Sequence, residues 1–409
     1  MVRVSSLFSQ VLHHFPRSEF ASLVKKHNAE YRAKGFTCWS HFVAMTFCHL
    51  AGADSLREIT GGLKCCLGKL RHLGVFTDPN KSTLSYANNH RPAELFEDLF
   101  YASLKHFAAQ GGFGRRKTKF RFKNKLLSLD ATTVSLCLNL FPWAKFRRAK
   151  GGVKIHVLLD HDQYMPAFVR ITPAKEHEIK TARMLSLNPG SIVAIDRAYN
   201  DYRLFAAWTE KGVYFVTRMK EGADFRTIKN LPVPKRNNII SDKIIKLTGV
   251  DAEKKCPYLL RRVLVWDEEN MREIVLLTNH LDFGPTTIAA IYKDRWEIEV
   301  FFKTIKQHLK IKTFVGTSEN ALKTQIWTAL IALLVLKWLH YISTTNMSFS
   351  NLTSLLRLNL FTYRDLAEWL NNPFGTEPIT PRPVQMNLPI SGLGQPNPTQ
   401  RGDNLNQKQ

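Results

Sequence analysis

Four residues of one short basic segment have the types and spacing to do chemistry together. In YKDRWEIEVFFKTIK, Tyr292, Arg295, Glu299 and Lys306 follow one another at intervals of three, four and seven. On an α-helix, at roughly 100° per residue, they fall within about 60° of each other. Ile298, Phe301, Phe302, Ile305 and Leu309 make a neighbouring apolar stripe, while Glu297 lies on the far side. A carboxylate flanked by two cations and a phenol suits a site that holds a metal ion among phosphates. A solvated face laced with salt bridges fits the same spacing.

Two further acids bear on that choice. Asp130 follows Leu126, Leu127 and Leu129, and Asp196 ends the apolar run IVAI. Apolar strands seldom carry an acid without a reason. If these two strands are neighbours, Asp130 and Asp196 meet and the Glu299 helix closes the site. Three converging carboxylates repel one another unless a divalent cation sits among them. Oxygen-only ligands select Mg²⁺ or Mn²⁺. Two such ions can activate a water or a 3′-hydroxyl and stabilise the leaving oxygen of a phosphodiester.

The elements that must position these residues are legible in outline. Residues 1–114 read as helices, with a Ser55/Glu58 capping box, stops at Gly52 and Gly61–Gly62, and Pro92 opening a long helix that ends at Gly111. Short helices with tight turns fit a helix-turn-helix DNA binder or a plain bundle. From Leu126 the order is three strands, helix, strand, helix, strand, which predicts a mixed sheet with helices packed on it. Residues 115–220 and 285–370 would form this α/β unit, and 221–284 a β-rich insertion. TIAAIYKDRWEIEVFFKTIKQHL reads as a single helix. Residues 371–409, rich in Pro, Asn, Gln and Gly, read as a disordered tail.

Composition points to a polyanionic partner. With 58 Lys+Arg against 34 Asp+Glu, the 409-residue chain carries a formal charge of +24. Such a field favours nucleic acid first and anionic membrane second. Basic runs interleaved with Phe120 and Phe122 favour a nucleic-acid groove. The apolar run Ile326–Leu336 is too short to span a membrane, is closed by Lys337, and reads as a buried helix. The N-terminus has no signal-peptide pattern, so a cytoplasmic protein is expected. None of the six cysteines forms a C-x-x-C pair, and a zinc site from Cys48, His49, Cys65 and Cys66 has poor spacing. His156 reads as structural, Asp160 and Asp162 as turn residues, and Asp201 as a helix cap.

Strand-Asp, strand-Asp, helix-Glu resembles the DDE triad of RNase H-like transposases. The pattern Y-x2-R-x3-E-x6-K at Tyr292, Arg295, Glu299 and Lys306 is that of the insertion-sequence-four family of bacterial transposases. DRAYND at Asp196 is similar to that family's D-R-G-Y-x-D, with Ala198 where Gly is usual. The likeness covers about residues 120–345. It implies an RNase H-like catalytic domain with a β-rich insertion, behind an all-helical DNA-binding domain. It implies cut-and-paste transposition: end cleavage, a hairpin intermediate and strand transfer, with Asp130, Asp196 and Glu299 as catalytic ligands of two Mg²⁺ or Mn²⁺ ions. Tyr292, Arg295 and Lys306 would contact DNA phosphates near the cut, with Arg197 beside them, and a homodimer would hold two transposon ends. One departure is Ile274, where a relative has a Trp that stacks on a flipped base; Trp266, one strand earlier, is the candidate substitute. The rival readings are a metal-dependent nuclease or resolvase of the same fold, and an inactive DNA-binding derivative.

Overall fold

A computed structural model of the chain describes residues 5–31, 33–66, 69–113, 120–147, 150–234, 238–308 and 313–379. The first part is helical: α1 (Leu7–His13), α2 (Arg17–Lys26), α3 (Cys38–Ala51), α4 (Leu56–Lys64), α5 (Lys81–His90) and α6 (Glu94–Ala109). Ser6, Thr37, Ser55 and Asn80 each cap a helix by accepting a backbone N–H three residues on. Gly52 ends α3 in the left-handed conformation that its missing Cβ permits. Helix α4 does not stop at Gly61–Gly62 but runs through both. A Cβ on Gly62 would lie 2.6 Å from the Phe47 ring, so this glycine serves close helix packing rather than termination. Helix α3 is buried from Cys38 to Leu50 and is the centre of a bundle, not an exposed recognition helix.

The α/β part follows the order β1 (Leu126–Leu136), β2 (Lys145–Arg147), β3 (Lys150–Asp160), β4 (Met165–Pro173), α7 (Glu178–Met184), β5 (Ile192–Ile195), α8 (Tyr202–Glu210), β6 (Tyr214–Arg218). Next come β7 (Phe225–Asn230), β8 (Ile239–Leu247), α9 (Ala252–Lys255), β9 (Leu260–Asp267) and β10 (Arg272–Thr278). The chain then forms α10 (Pro285–Asp294), α11 (Glu297–His308), α12 (Glu319–Ile342), α13 (Phe349–Asn359) and α14 (Leu366–Asn371). All ten strands join one mixed sheet in the order β2-β3-β1-β5-β6-β10-β9-β8-β7, with β4 also paired to β3. β1, β5 and β6 run parallel at its centre, and the rest pair antiparallel. It is the mixed α/β architecture, with a helical N-terminal region, that an RNase H-like fold calls for.

Three expectations change in detail. Residues 221–284 are β-rich, yet they extend the main sheet, because β10 pairs with β6 through Thr278↔Val216 to Leu276↔Arg218. The N-terminal helices share one apolar core with the C-terminal ones. Phe42, Phe96, Phe100 and Trp327 belong to a cluster that runs from Leu7 to Leu370. Helix α12 is the reason: its 24 residues are apolar enough to cross a membrane by length and composition, but 78% of its most apolar stretch is buried inside the protein. The expected tail starts later than Asn371, since Thr376 is buried and Ile379 donates a backbone hydrogen bond to Tyr363; residues 380–409 lie outside the described residues.

Candidate active site

The site begins with strand register. β1 and β5 are parallel neighbours, paired from Leu126↔Ile192 to Leu129↔Ile195. The next step along both strands reaches Asp130 and Asp196. Side chains alternate across a strand. Leu127, Leu129, Val193 and Ile195 pack on the α7–α8 face, while Leu126, Ile192 and Ala194 pack on the α10 face. Asp130 and Asp196 share the parity of the second set and face α10 and α11. The expectation that the two strands are neighbours is met, and the parallel pairing puts both acids at one level.

Helix geometry supplies Glu299, with a correction. The segment expected to be one helix is two: α10 ends at Asp294, and α11 starts at Glu297. Arg295 and Trp296 form the break. Arg295 nevertheless reaches both sides of it, donating to Asp130 Oδ2 at 3.3 Å and to Glu299 Oε1 at 2.9 Å. Lys306, two turns further on, donates to the Thr132 hydroxyl on β1. The apolar residues Ile298, Phe301, Phe302 and Ile305 are buried and dock α11 on the core. The junction joins α10, packed across β5, β6, β10 and β9, to α11, which reaches β1 and brings Glu299 near Asp130.

The electrostatics are those of crowded charge. Burial, together with Asp196 and Glu299, pushes the Asp130 carboxyl up to about 6 against the opposing pull of the Ala131 N–H and Arg295. Burial also raises the Tyr292 phenol. The Tyr292 ring lies between two guanidiniums, Arg218 at 5.5 Å and Arg295 at 5.6 Å. Tyr199 Oη, Asn200 Oδ1 and Arg218 Nε are buried without a hydrogen-bond partner, while the Tyr292 hydroxyl lies against the Arg295 guanidinium. Such unpaired buried polar atoms are uncommon in folded proteins.

Not every expected residue is brought here. Arg197 lies on the 3-10 turn just after Asp196, half-exposed and ion-paired with Glu221. Trp266 does not join the site. In β9, Val263 and Val265 pack on the α10 face. Alternation therefore turns Trp266 to the opposite face, beside Glu273 of β10. Trp296, 60% exposed at the helix break, is the aromatic presented beside Arg295. Arg218, Tyr199 and Trp296 escaped the sequence reading; the signal for Arg218 was its place at the end of the strand next to the Asp196 strand. The discounted residues behave as read: His156 is fully buried with the Thr172 hydroxyl, and Asp201 caps α8.

Comparison with known proteins gives the family. The Transposase DDE domain family matches residues 121–335, which hold all three acids. The chain belongs to the DDE transposase family. A Domain of unknown function (DUF4372) matches residues 3–76. The putative transposase y4zB of Sinorhizobium fredii is 30% identical over 309 residues, 75% of this chain and 84% of the relative. The probable transposase for insertion sequence element IS5377 of Geobacillus stearothermophilus is 32% identical over 228 residues, 55% of this chain and 59% of the relative. The putative transposase for insertion sequence element IS4SA of Synechocystis is 26% identical over 274 residues, 63% of this chain and 71% of the relative. As a transposase of the insertion-sequence type, the protein acts on DNA. DDE domains generally use divalent metal ions, and the donors here fit in kind: three hard carboxylates, one with its ionisation suppressed by burial and like charge. Among the described residues no three His, Cys, Asp or Glu side chains are gathered closely enough to enclose an ion; the Arg295 guanidinium bridges Asp130 and Glu299.

Proposed function

We propose that Asp130, Asp196 and Glu299 are the catalytic residues of an insertion-sequence-four type transposase and hold its two Mg²⁺ or Mn²⁺ ions. The observation that carries this is the parallel β1–β5 register, which sets Asp130 beside Asp196, with Glu299 linked to Asp130 through Arg295. When bound, the ions would supply an activated water or 3′-hydroxyl and stabilise the leaving oxygen. The chain's own residues then orient the DNA. Arg295, Lys306 and Arg197 offer charge-assisted hydrogen bonds to phosphates at the cut end. Tyr292, its ring within cation–π range of both Arg218 and Arg295, helps hold the two guanidiniums in place. Trp296 offers an exposed face for a base displaced from the duplex.

The reaction we infer is cut-and-paste: water cleaves one strand at the element's end, and the freed 3′-hydroxyl attacks the opposite strand to give a hairpin. The hairpin is opened and the end joins target DNA, with two copies of the protein holding two ends. The N-terminal helices contact DNA through a cleft of about 670 Å³ whose lining includes His13, Arg17, Arg71 and His72 and no acid among the described residues. The test is cleavage of duplex DNA carrying the segments that flank the gene. Asp130→Asn, Asp196→Asn and Glu299→Gln should bind it but not cut it in Mg²⁺ or Mn²⁺. Glu297→Gln, about 200° away from Glu299 around α11, should cut normally. Cleavage by Glu299→Gln at the parent rate would end this assignment. Cutting by the parent without joining would favour a nuclease or resolvase.

A further inference from the structure

A second buried constellation lies just behind the site. The Ser128 hydroxyl is 2.7 Å from His161 Nε2, and His161 Nδ1 is 2.7 Å from Asp294 Oδ2. The Tyr164 hydroxyl reaches the same Asp294 oxygen at 3.5 Å. Ser128 is 0%, His161 8% and Asp294 6% exposed. The order is that of a hydrolytic triad, but a serine sealed from solvent has no access to a substrate. With the proton on Nδ1, every atom is satisfied: Nδ1–H donates to Asp294, and Nε2 accepts the serine hydroxyl.

Its placement is what distinguishes it from ordinary core hydrogen bonding. Ser128 stands two residues before Asp130 on the same strand face. Asp294 is the last residue of α10, directly before Arg295 and the break. His161 follows β3 and is itself anchored, its N–H donating to Leu126 O on β1. A carboxylate at a helix C-terminus opposes the helix dipole, and burying it adds a desolvation cost. Local rules are broken in this way where a position matters. At Arg295–Trp296 the ladder tightens to bonds three residues apart, Trp296 N–H to Lys293 O and Ile298 N–H to Arg295 O, a one-turn junction weaker than a continuous α-helix. Ser128–His161–Asp294 ties that hinge to the strand that carries Asp130.

We propose that Ser128, His161 and Asp294 are positioning residues that set the α10–α11 break, so that Arg295 and Glu299 stay registered on Asp130. This rests on reading Asp130, Asp196 and Glu299 as the cleavage site. The relay itself touches no DNA and acts through Arg295 and Glu299, so the rate of cutting falls far more than the grip, which Lys306 and Arg197 still supply.

Four full-length variants test it: His161→Ala, the milder Ser128→Ala, and Asp294→Asn, which keeps an acceptor oxygen, set against Asp294→Ala. Single-turnover cleavage of the flanking duplex should fall about 10²-fold in His161→Ala, as expected for a displaced catalytic group. It should fall less in Ser128→Ala, with the DNA Kd within about twofold of the parent in each. Asp294→Asn should retain more activity than Asp294→Ala. Placed in an Arg295→Ala background, His161→Ala should slow cutting much less than it slows the parent, because part of its effect runs through Arg295. Amide exchange read by mass spectrometry should rise at residues 294–300 relative to α3 and α12. Unchanged exchange at the break, or rate losses that multiply in the Arg295→Ala background, would overturn the relay. If the parent itself cuts no flanking DNA, the cleavage reading fails, and the exchange measurement still decides the relay.

Discussion

Removing the Arg295 guanidinium should reveal how much charge the site is holding apart. Arg295 is 10% exposed and bridges Asp130, 21% exposed, to Glu299, 36% exposed. Leaving a buried charge without its partner costs about 3–5 kcal/mol, whereas a surface pair is worth at most about 1 kcal/mol. Asp130 lies between these limits, because a carboxyl already near 6 can take up a proton instead of staying charged and unpaired, and Glu299 is near the second, so Arg295→Ala should lose about 1–3 kcal/mol in total. Without Arg295 the Asp130 carboxyl also loses an influence that lowers its pKa, and rises further above its ordinary range. Urea denaturation in a chelator measures the loss, and Mg²⁺ titration then measures the response. With the guanidinium gone, the carboxylates have only the ion to neutralise them. Mg²⁺ should therefore restore more stability to Arg295→Ala than it adds to the parent. Arg295→Lys should fall between the two, since an ammonium cannot fork to both acids. DNA cleavage should remain impaired in both variants. A loss below about 1 kcal/mol together with an unchanged Mg²⁺ response would refute the idea that Arg295 holds these carboxylates.

Three further outcomes follow from the same geometry. Trp296→Ala should impair end cleavage while Trp266→Ala should leave it close to the parent; the reverse result, by the same cleavage assay, would mean that the β9 face has been misassigned. Arg261 makes a bidentate pair with Asp242, at 2.8 and 2.6 Å, and also holds the carbonyls of Leu281 and Phe283 ahead of α10. Asp242→Ala should cost about 3–5 kcal/mol in urea, while the apolar pair Asp242→Leu with Arg261→Met should cost clearly less. His156 is buried as the neutral ring, its pKa pushed down to about 4 by burial. The depressed value means that its contribution is present above about pH 6.5 and is lost as pH falls toward 4, up to about 3 kcal/mol. His156→Leu should flatten that part of the acid-unfolding curve, measured by circular dichroism.

Much of the site was legible because local patterns carry it. Asp130 and Asp196 stand out as acids in apolar strands, and strand order alone made their strands candidate neighbours. The Tyr292–Lys306 spacing announced a shared face. The apolar stripe of α11, the caps at Ser55 and Asp201, and the stop at Gly52 are all properties of a few adjacent residues, so a linear reading finds them. What such a reading missed has a common cause. Nothing within the segment Tyr292–Lys306 signals a break, because Asp294 and Arg295 are acceptable helix residues; the partners of Asp294 at the break, His161 and through it Ser128, stand more than a hundred positions earlier. Trp266 looked available because its parity relative to the α10 face depends on how β9 pairs with β10.

Residue types and short-range spacing by themselves determined the charge field, the helical and α/β halves, and the three carboxylates. Tertiary structure alone decided that the halves share one core, since α12 is buried by partners from both ends of the chain. It also decided that residues 221–284 lengthen the sheet, because β10 finds its partner in β6. And it decided that Arg295 stands between Asp130 and Glu299. Hydrophobic periodicity names the face an element will bury, but which surface covers that face depends on contacts between distant residues. Those contacts carry no mark in the local sequence.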